Sequence, residues 1–133
     1  MVELVDTHLH LDDERFDGER DAVVASALDQ GLVAMVTIGT SMATNQAALA
    51  LAERHDCVWA TAGFHPNNSQ EWGPEAEAAL RAWAAHPKVV AIGEIGRDRY
   101  WDRVPEDVQQ AAFEAQRSEE RRVGKECRSR WSP

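Results

Sequence analysis

Apolar residues along the chain alternate between short continuous runs and longer helical stripes. Residues 2–7 form a short apolar run and predict a first strand. Residues 18–30 place Val23, Val24, Ala27 and Leu28 on one helical stripe that ends at Gly31, a residue suited to the turn after a helix. Residues 32–38 (LVAMVTI) are almost continuously apolar, the pattern of a parallel strand covered on both faces. An alanine- and leucine-rich helix is expected over 41–53, a strand over 57–62 closed by Gly63, and a helix over 74–85 with Pro74 in its tolerant first turn. A fourth strand is expected over 88–92, and a fourth helix from 105 to 116.

This rhythm gives four strand–helix units at a spacing of roughly 25–30 residues, which predicts an α/β fold around a parallel sheet. The unusual polar clusters fall just after the strands: His8 and His10 after the first, Gly39-Thr40-Ser41 after the second, Gly63-Phe64-His65-Pro66 after the third, and Gly93-Glu94 after the fourth. Ligands of such folds gather at the C-terminal ends of the strands. Contributions from the first, third and fourth strands favour a closed ring, a (β/α)8 barrel, which brings those tips around one centre.

The His8-x-His10 pair is the sharpest chemical signal. Side chains two apart on a strand share a face, with Cα atoms roughly 6–7 Å apart, so two imidazoles can lean onto one cation. Glu94 lies between Gly93 and Gly96 where an apolar strand emerges, and a carboxylate there needs a partner. Two histidines and a carboxylate suit zinc, manganese, iron or a magnesium-like ion. A glutamate can also bridge two metals roughly 3.5–4 Å apart, as in two-metal hydrolysis. The plainer readings are exposed or hydrogen-bonded histidines and a helix-capping or salt-bridged surface carboxylate. His65, held before Pro66, reads as a phosphate- or substrate-orienting group, or as a turn histidine with a local hydrogen bond. His55 and His86 complement helix C-termini and receive no catalytic role. Asp12, Asp13, Asp98 and Asp102 read as solvated loop acids, with Asp98 the one placed to orient a metal ligand. Trp72, Trp83 and Trp101 share no helical spacing and are expected to pack rather than to stack on bases.

Composition narrows the field. The 133 residues carry a net charge of −9 and are 44% hydrophobic: enough for a core, and too acidic for a nucleic-acid binder that works through bulk electrostatics. Cys57 and Cys127 are too few and too distant for a disulfide framework, and Cys57 reads as a small buried side chain. Glu3 and Asp6 interrupt the first apolar run, so no leader is expected, and no run approaches the roughly 18 residues of a membrane span. A cytoplasmic protein is the expectation. From Arg117 the character changes: RSEERRVGKECRSRWSP holds six basic and three acidic residues. This segment, 117–133, resembles the translation of a sequencing adapter and is expected to be a foreign, disordered tail.

Three stretches carry a family resemblance. VDTHLHLD, AGFHPNN and VVAIGEIGRDRYWDRVPEDVQQAAFEAQ resemble, in order and spacing, the first half of TatD-type metal-dependent deoxyribonucleases, over residues 2–116. The resemblance implies a (β/α)8 metallo-hydrolase barrel of which this chain is the N-terminal half, truncated. It makes His8 and His10 ligands of a first metal and Glu94 a catalytic carboxylate shared by two divalent ions, magnesium, manganese or zinc. His65 falls on a substrate-contacting position. It implies a DNA substrate, single-stranded and trimmed from 3′ ends, with no membrane or obligate protein partner. Arg97 and Arg99 depart from the family pattern, which has a leucine and an aromatic there. Two further histidines and a Thr-Asp, whose aspartate would activate water, are expected beyond Gln116. The rival readings are an amidohydrolase cleaving C–N or ester bonds, against which Glu94 in place of a bridging lysine argues, and a fragment without catalysis. A sheet of four strands out of eight leaves its first and last as edges, and the chain as given is expected to be inactive.

Overall fold

The computed structural model describes residues 2–124. Its elements are β1 (Leu4–Leu9), α1 (Arg20–Asp29), β2 (Leu32–Ile38), α2 (Met42–Arg54), β3 (Val58–Ala62), α3 (Pro74–Ala84), β4 (Val89–Ile92) and α4 (Glu106–Val123), with 3-10 turns over Glu14–Phe16 and Pro66–Glu71. The strands form one parallel sheet in the order β1-β2-β3-β4. Each strand therefore lies beside the next in sequence, the winding of a barrel rather than of a doubly wound sheet.

Local chemistry explains the boundaries. Ser41 caps α2 in a reciprocal box: its hydroxyl accepts from the Thr44 N–H at 3.2 Å, and the Thr44 hydroxyl accepts from the Ser41 N–H at 2.8 Å. Gly31 sits at φ 96° after α1, a conformation that favours glycine. β1 lies two residues later than the apolar pattern suggests, because its pairing with β2 continues to Leu9 opposite Thr37; His8 is thus part of the strand. α4 runs on to Val123, past the compositional boundary at 116. No glycine or proline interrupts it before Gly124, whose φ of 68° ends it, and Arg81 on α3 donates to the Glu119 carboxylate at 2.8 Å. The remainder of the expected tail, 125–133 with Cys127, lies outside the described residues.

The core lies between the sheet and its helices. Met35, Val58, Ala60, Ala62, Val89 and Ile92 of the strands meet Val24, Ala48, Ala52, Ala76, Leu80 and Ala84 of the helices. The many alanines let the helices approach the sheet closely. β2 departs from the expectation of cover on both faces: Val33 is 45% exposed, and all of β1 except Leu9 is exposed. Among the described residues no helix is long and apolar enough to cross a membrane.

Two buried amides hold the tip of β3. Asn45 of α2 accepts from the Gly63 N–H at 3.0 Å and donates to the Gly63 carbonyl at 2.8 Å. Gln116 of α4 does the same for Phe64, at 2.7 and 3.2 Å. The Asn45 side chain occupies the space above Gly39, where an added Cβ would stand 1.8 Å from its Oδ1. Phe64, 1% exposed, is packed edge-on against Trp72 with ring centroids 5.5 Å apart, and against Trp83 at 6.5 Å. Asn45→Ala leaves a buried N–H and C=O without partners and is expected to cost about 2–3 kcal/mol in urea unfolding. Gln116→Ala is expected to cost a similar amount. The double variant is expected to lose less than the sum, since the two amides restrain adjacent residues, Gly63 and Phe64, of one strand tip.

Candidate metal centre

The tips of β1, β3 and β4 converge on one point. Beyond β1, the Leu11 N–H donates to the buried Thr37 hydroxyl at 3.2 Å, and the Arg20 guanidinium donates to the carbonyls of Leu11, Asp12 and Asp13 at 2.8, 2.9 and 3.1 Å. These contacts fix the chain immediately after the histidine pair. The rings of His8 and His10 stand edge to face with centroids 5.3 Å apart.

The tip of β4 is placed by backbone. The Gly93 N–H donates to the Ala62 carbonyl at 2.9 Å, and the Glu94 N–H donates to the Gly39 carbonyl at 3.1 Å. A Cβ on residue 63 would lie 2.7 Å from the Gly93 carbonyl carbon and 3.0 Å from the Glu94 nitrogen. Glycine at 63 is therefore a condition for this approach. Glu94 then presents its two oxygens to two imidazoles, Oε2 to His8 Nε2 and Oε1 to His65 Nε2, each at 3.8 Å. It caps no helix.

One donor atom each from His8, His10 and Glu94 lies within 4.8 Å of the others. Donors roughly 2.0–2.2 Å from a shared ion stand somewhat closer together than that, so small side-chain rotations would close the set. Both histidines are exposed and Glu94 is half-buried, so an ion can enter. Two imidazole nitrogens and a carboxylate oxygen suit a first-row divalent ion. The residues present fit such an ion.

His65 is held by its backbone N–H, which donates to the Thr40 carbonyl at 2.9 Å, and by Nδ1, which accepts from the Asn67 N–H at 3.1 Å. With Nδ1 an acceptor, the neutral ring carries its proton on Nε2, the atom turned toward Glu94. The ring makes the local hydrogen bond expected of a turn histidine, and it also turns Nε2 toward Glu94 at 3.8 Å.

Asp98 is not the solvated acid its loop position suggested. It accepts from the Tyr100 and Trp101 N–H groups at 2.8 and 3.3 Å and from the Asn67 side-chain amide at 3.0 Å. The Tyr100 N–H foremost, then the Trp101 N–H, the Asn67 amide and the charge of His65, hold its carboxyl below the ordinary aspartate value. Sequence reasoning missed Asn67 and the two clamping amides, Asn45 and Gln116; Asn67, following His65-Pro66, had the one available signal, a proline-asparagine turn.

Arg97 and Arg99 turn away from Glu94. Both close on Glu106 in the first turn of α4, Arg99 at 2.6 Å, and Arg97 also donates to Gln110 at 2.8 Å. The Arg99 hydrogen bond, with the charge of Arg97, holds the Glu106 carboxyl below its usual range. His55 and His86 face Asp21 and Glu53 at 3.1 and 3.2 Å, just before β3 and β4 begin and so at the opposite ends of those strands from the tips. Trp72 and Trp83 pack as expected, but Trp101 is 50% exposed: the expectation that it packs is wrong, because its loop crosses the surface rather than the core.

A family model described as TatD related DNase matches residues 5–125. Over 113 residues the chain is 43% identical to a protein of Enterobacter lignolyticus named 3'-5' ssDNA/RNA exonuclease TatD, and 35% identical to the uncharacterized metal-dependent hydrolase YabD of Bacillus subtilis. Both matches cover 85% of this chain and 44% of the relative. The crystal structure of YJJV, a TatD homolog from Escherichia coli K12, superposes with a TM-score of 0.83 at 28% identity, covering 91% of this chain and 48% of that one. The chain thus spans about 44% of the length of these curated relatives, and its four strand–helix units are half of a TIM-barrel hydrolase fold. By the family model, the sequence identities and the shared fold, the chain belongs to the TatD-related deoxyribonuclease family.

Proposed function

We propose that His8, His10, Glu94 and His65 form one wall of a divalent-metal phosphodiesterase site that acts on single-stranded DNA. The observation that carries this reading is Glu94 between imidazoles from two other strand tips, with the three donors of His8, His10 and Glu94 within 4.8 Å of one another. The relatives' names, a single-strand exonuclease and a metal-dependent hydrolase, support the same chemistry. His8 and His10 would hold one ion, and Glu94, whose two oxygens stand 3.8 Å from His8 Nε2 and His65 Nε2, would serve as the carboxylate shared with a second. Bound there, divalent ions supply Lewis-acid stabilisation of phosphoryl oxygens and acidify a water. His65 presents Nε2–H beside Glu94 and would donate to a non-bridging phosphate oxygen, which orients the scissile group. Asn67 keeps that ring in the donating tautomer through its backbone N–H, while its side chain ties the loop to Asp98. With a net charge of −9, phosphate binding would be confined to this mouth, where the imidazoles and any bound cation would meet it.

Titration of the chain with manganese, followed by calorimetry, is expected to show binding that weakens roughly tenfold or more in Glu94→Gln and in His8→Ala. In a protein of the relatives' length that begins with this chain, single-stranded DNA cleavage is expected to need magnesium or manganese and to fall by about 100-fold or more in Glu94→Gln. The four-strand chain alone is expected to cleave no DNA above background in the same assay. DNA left intact by the longer protein while an ester or amide is hydrolysed would replace the phosphodiesterase reading with an amidohydrolase one.

A further inference from the structure

The loop from β4 to α4 displays two aromatic rings to solvent. Tyr100 is 83% exposed and Trp101 is 50% exposed, the two rings meeting edge to face with centroids 4.8 Å apart. The Arg103 guanidinium lies over the Trp101 ring, 5.0 Å from its centroid. Exposed rings on a loose loop would signify little, but this loop is built. Asp98 receives the backbone N–H groups of both aromatic residues. Gln109, 3% exposed on α4, accepts from the Asp98 N–H at 2.8 Å and donates to the carbonyls of Asp98 and Val104 at 3.2 and 2.8 Å. The same Asp98 is bonded to Asn67, two residues from His65. The aromatic pair is therefore held in a fixed relation to the metal centre, by hydrogen bonds that leave the rings themselves unused.

We propose that Tyr100 and Trp101, with Arg103 over the indole, form a stacking platform for the bases of a single strand entering the metal centre. The proposal rests on the reading of that centre as a phosphodiesterase site. Stacking suits this protein better than charge. At a net −9 the surface repels phosphates at long range, so affinity for a strand must come from base faces and local cations. Aromatic faces accept any base, in keeping with an enzyme that removes nucleotides without reading sequence. A base that stacks on a fixed ring costs less ordering than one that must gather a mobile loop. Arg97 and Arg99 are engaged with Glu106, and they brace the loop.

The test is fluorescence anisotropy of a 5′-labelled dT decamer against an abasic decamer of equal charge, at low ionic strength with EDTA present so that the probe survives. The chain is expected to bind the dT decamer more tightly than the abasic one. Trp101→Ala is expected to lose roughly tenfold in affinity for the dT decamer with no change for the abasic strand, and Trp101→Phe to restore most of the loss. Circular dichroism melts of the variants are expected to match the parent. Absence of dT binding, equal binding of both strands, or an unchanged affinity in Trp101→Ala would each overturn the platform. Base binding that depends on Trp101 in a protein of the relatives' length that cleaves no DNA with any divalent ion would keep the platform and remove the phosphodiesterase reading; DNA cleavage with an indifferent Trp101 would do the opposite.

Discussion

The close approach of the third and fourth strand tips is the constraint on which the rest of this molecule depends. The Gly93–Glu94 peptide occupies the volume that a side chain at residue 63 would need. Because residue 63 puts no side chain there, the Gly93 N–H reaches Ala62, the Glu94 N–H reaches Gly39, and the Glu94 carboxylate stands between histidines contributed by β1 and by the loop after β3. A methyl group at residue 63 would force these two backbones apart, and the donor distances at Glu94 would grow with the separation. The geometry of the candidate metal centre is thus a property of backbone packing first and of ligand chemistry second, as expected of sites seated on a rigid sheet.

Much of this was legible in the sequence because the signals were of a kind that sequence carries. The near-continuous apolar run of β2 reports a strand and the alanine-rich stripe of α2 reports burial, and polar residues at strand ends report the face that bears the chemistry. His8, His10, Glu94 and His65 could be picked out from spacing and neighbours. What sequence did not carry were interactions between distant segments. Nothing local marks Asn45, a polar residue within a helix, as the clamp on Gly63, or Gln109 as the brace of a loop eleven residues back. The change of composition at 117 likewise suggested a boundary, whereas helix propagation responds only to backbone preferences and to partners such as Arg81, and so passed it.

The two arginines that break the family pattern show how a departure can be absorbed. A leucine and an aromatic at 97 and 99 would contribute apolar surface. Here two guanidiniums share one carboxylate at the start of α4, a place where the helix dipole already favours negative charge. The loop is secured by charge instead of burial, while Asp98 between them keeps its own partners. Such a bond is open to solvent and screened by salt, so the stiffness of the loop rests chiefly on the buried amide of Gln109.

Gln116 has a consequence that concerns the order of synthesis. It satisfies the backbone of Phe64 across 52 residues of sequence, so the turn bearing His65 lacks two of its buried hydrogen bonds until α4 has been made and has docked. A nascent chain leaves the ribosome from its N-terminus. Its histidine pair therefore emerges early, yet the turn that carries His65, on the opposite side of the candidate metal centre, settles only after the fourth helix arrives.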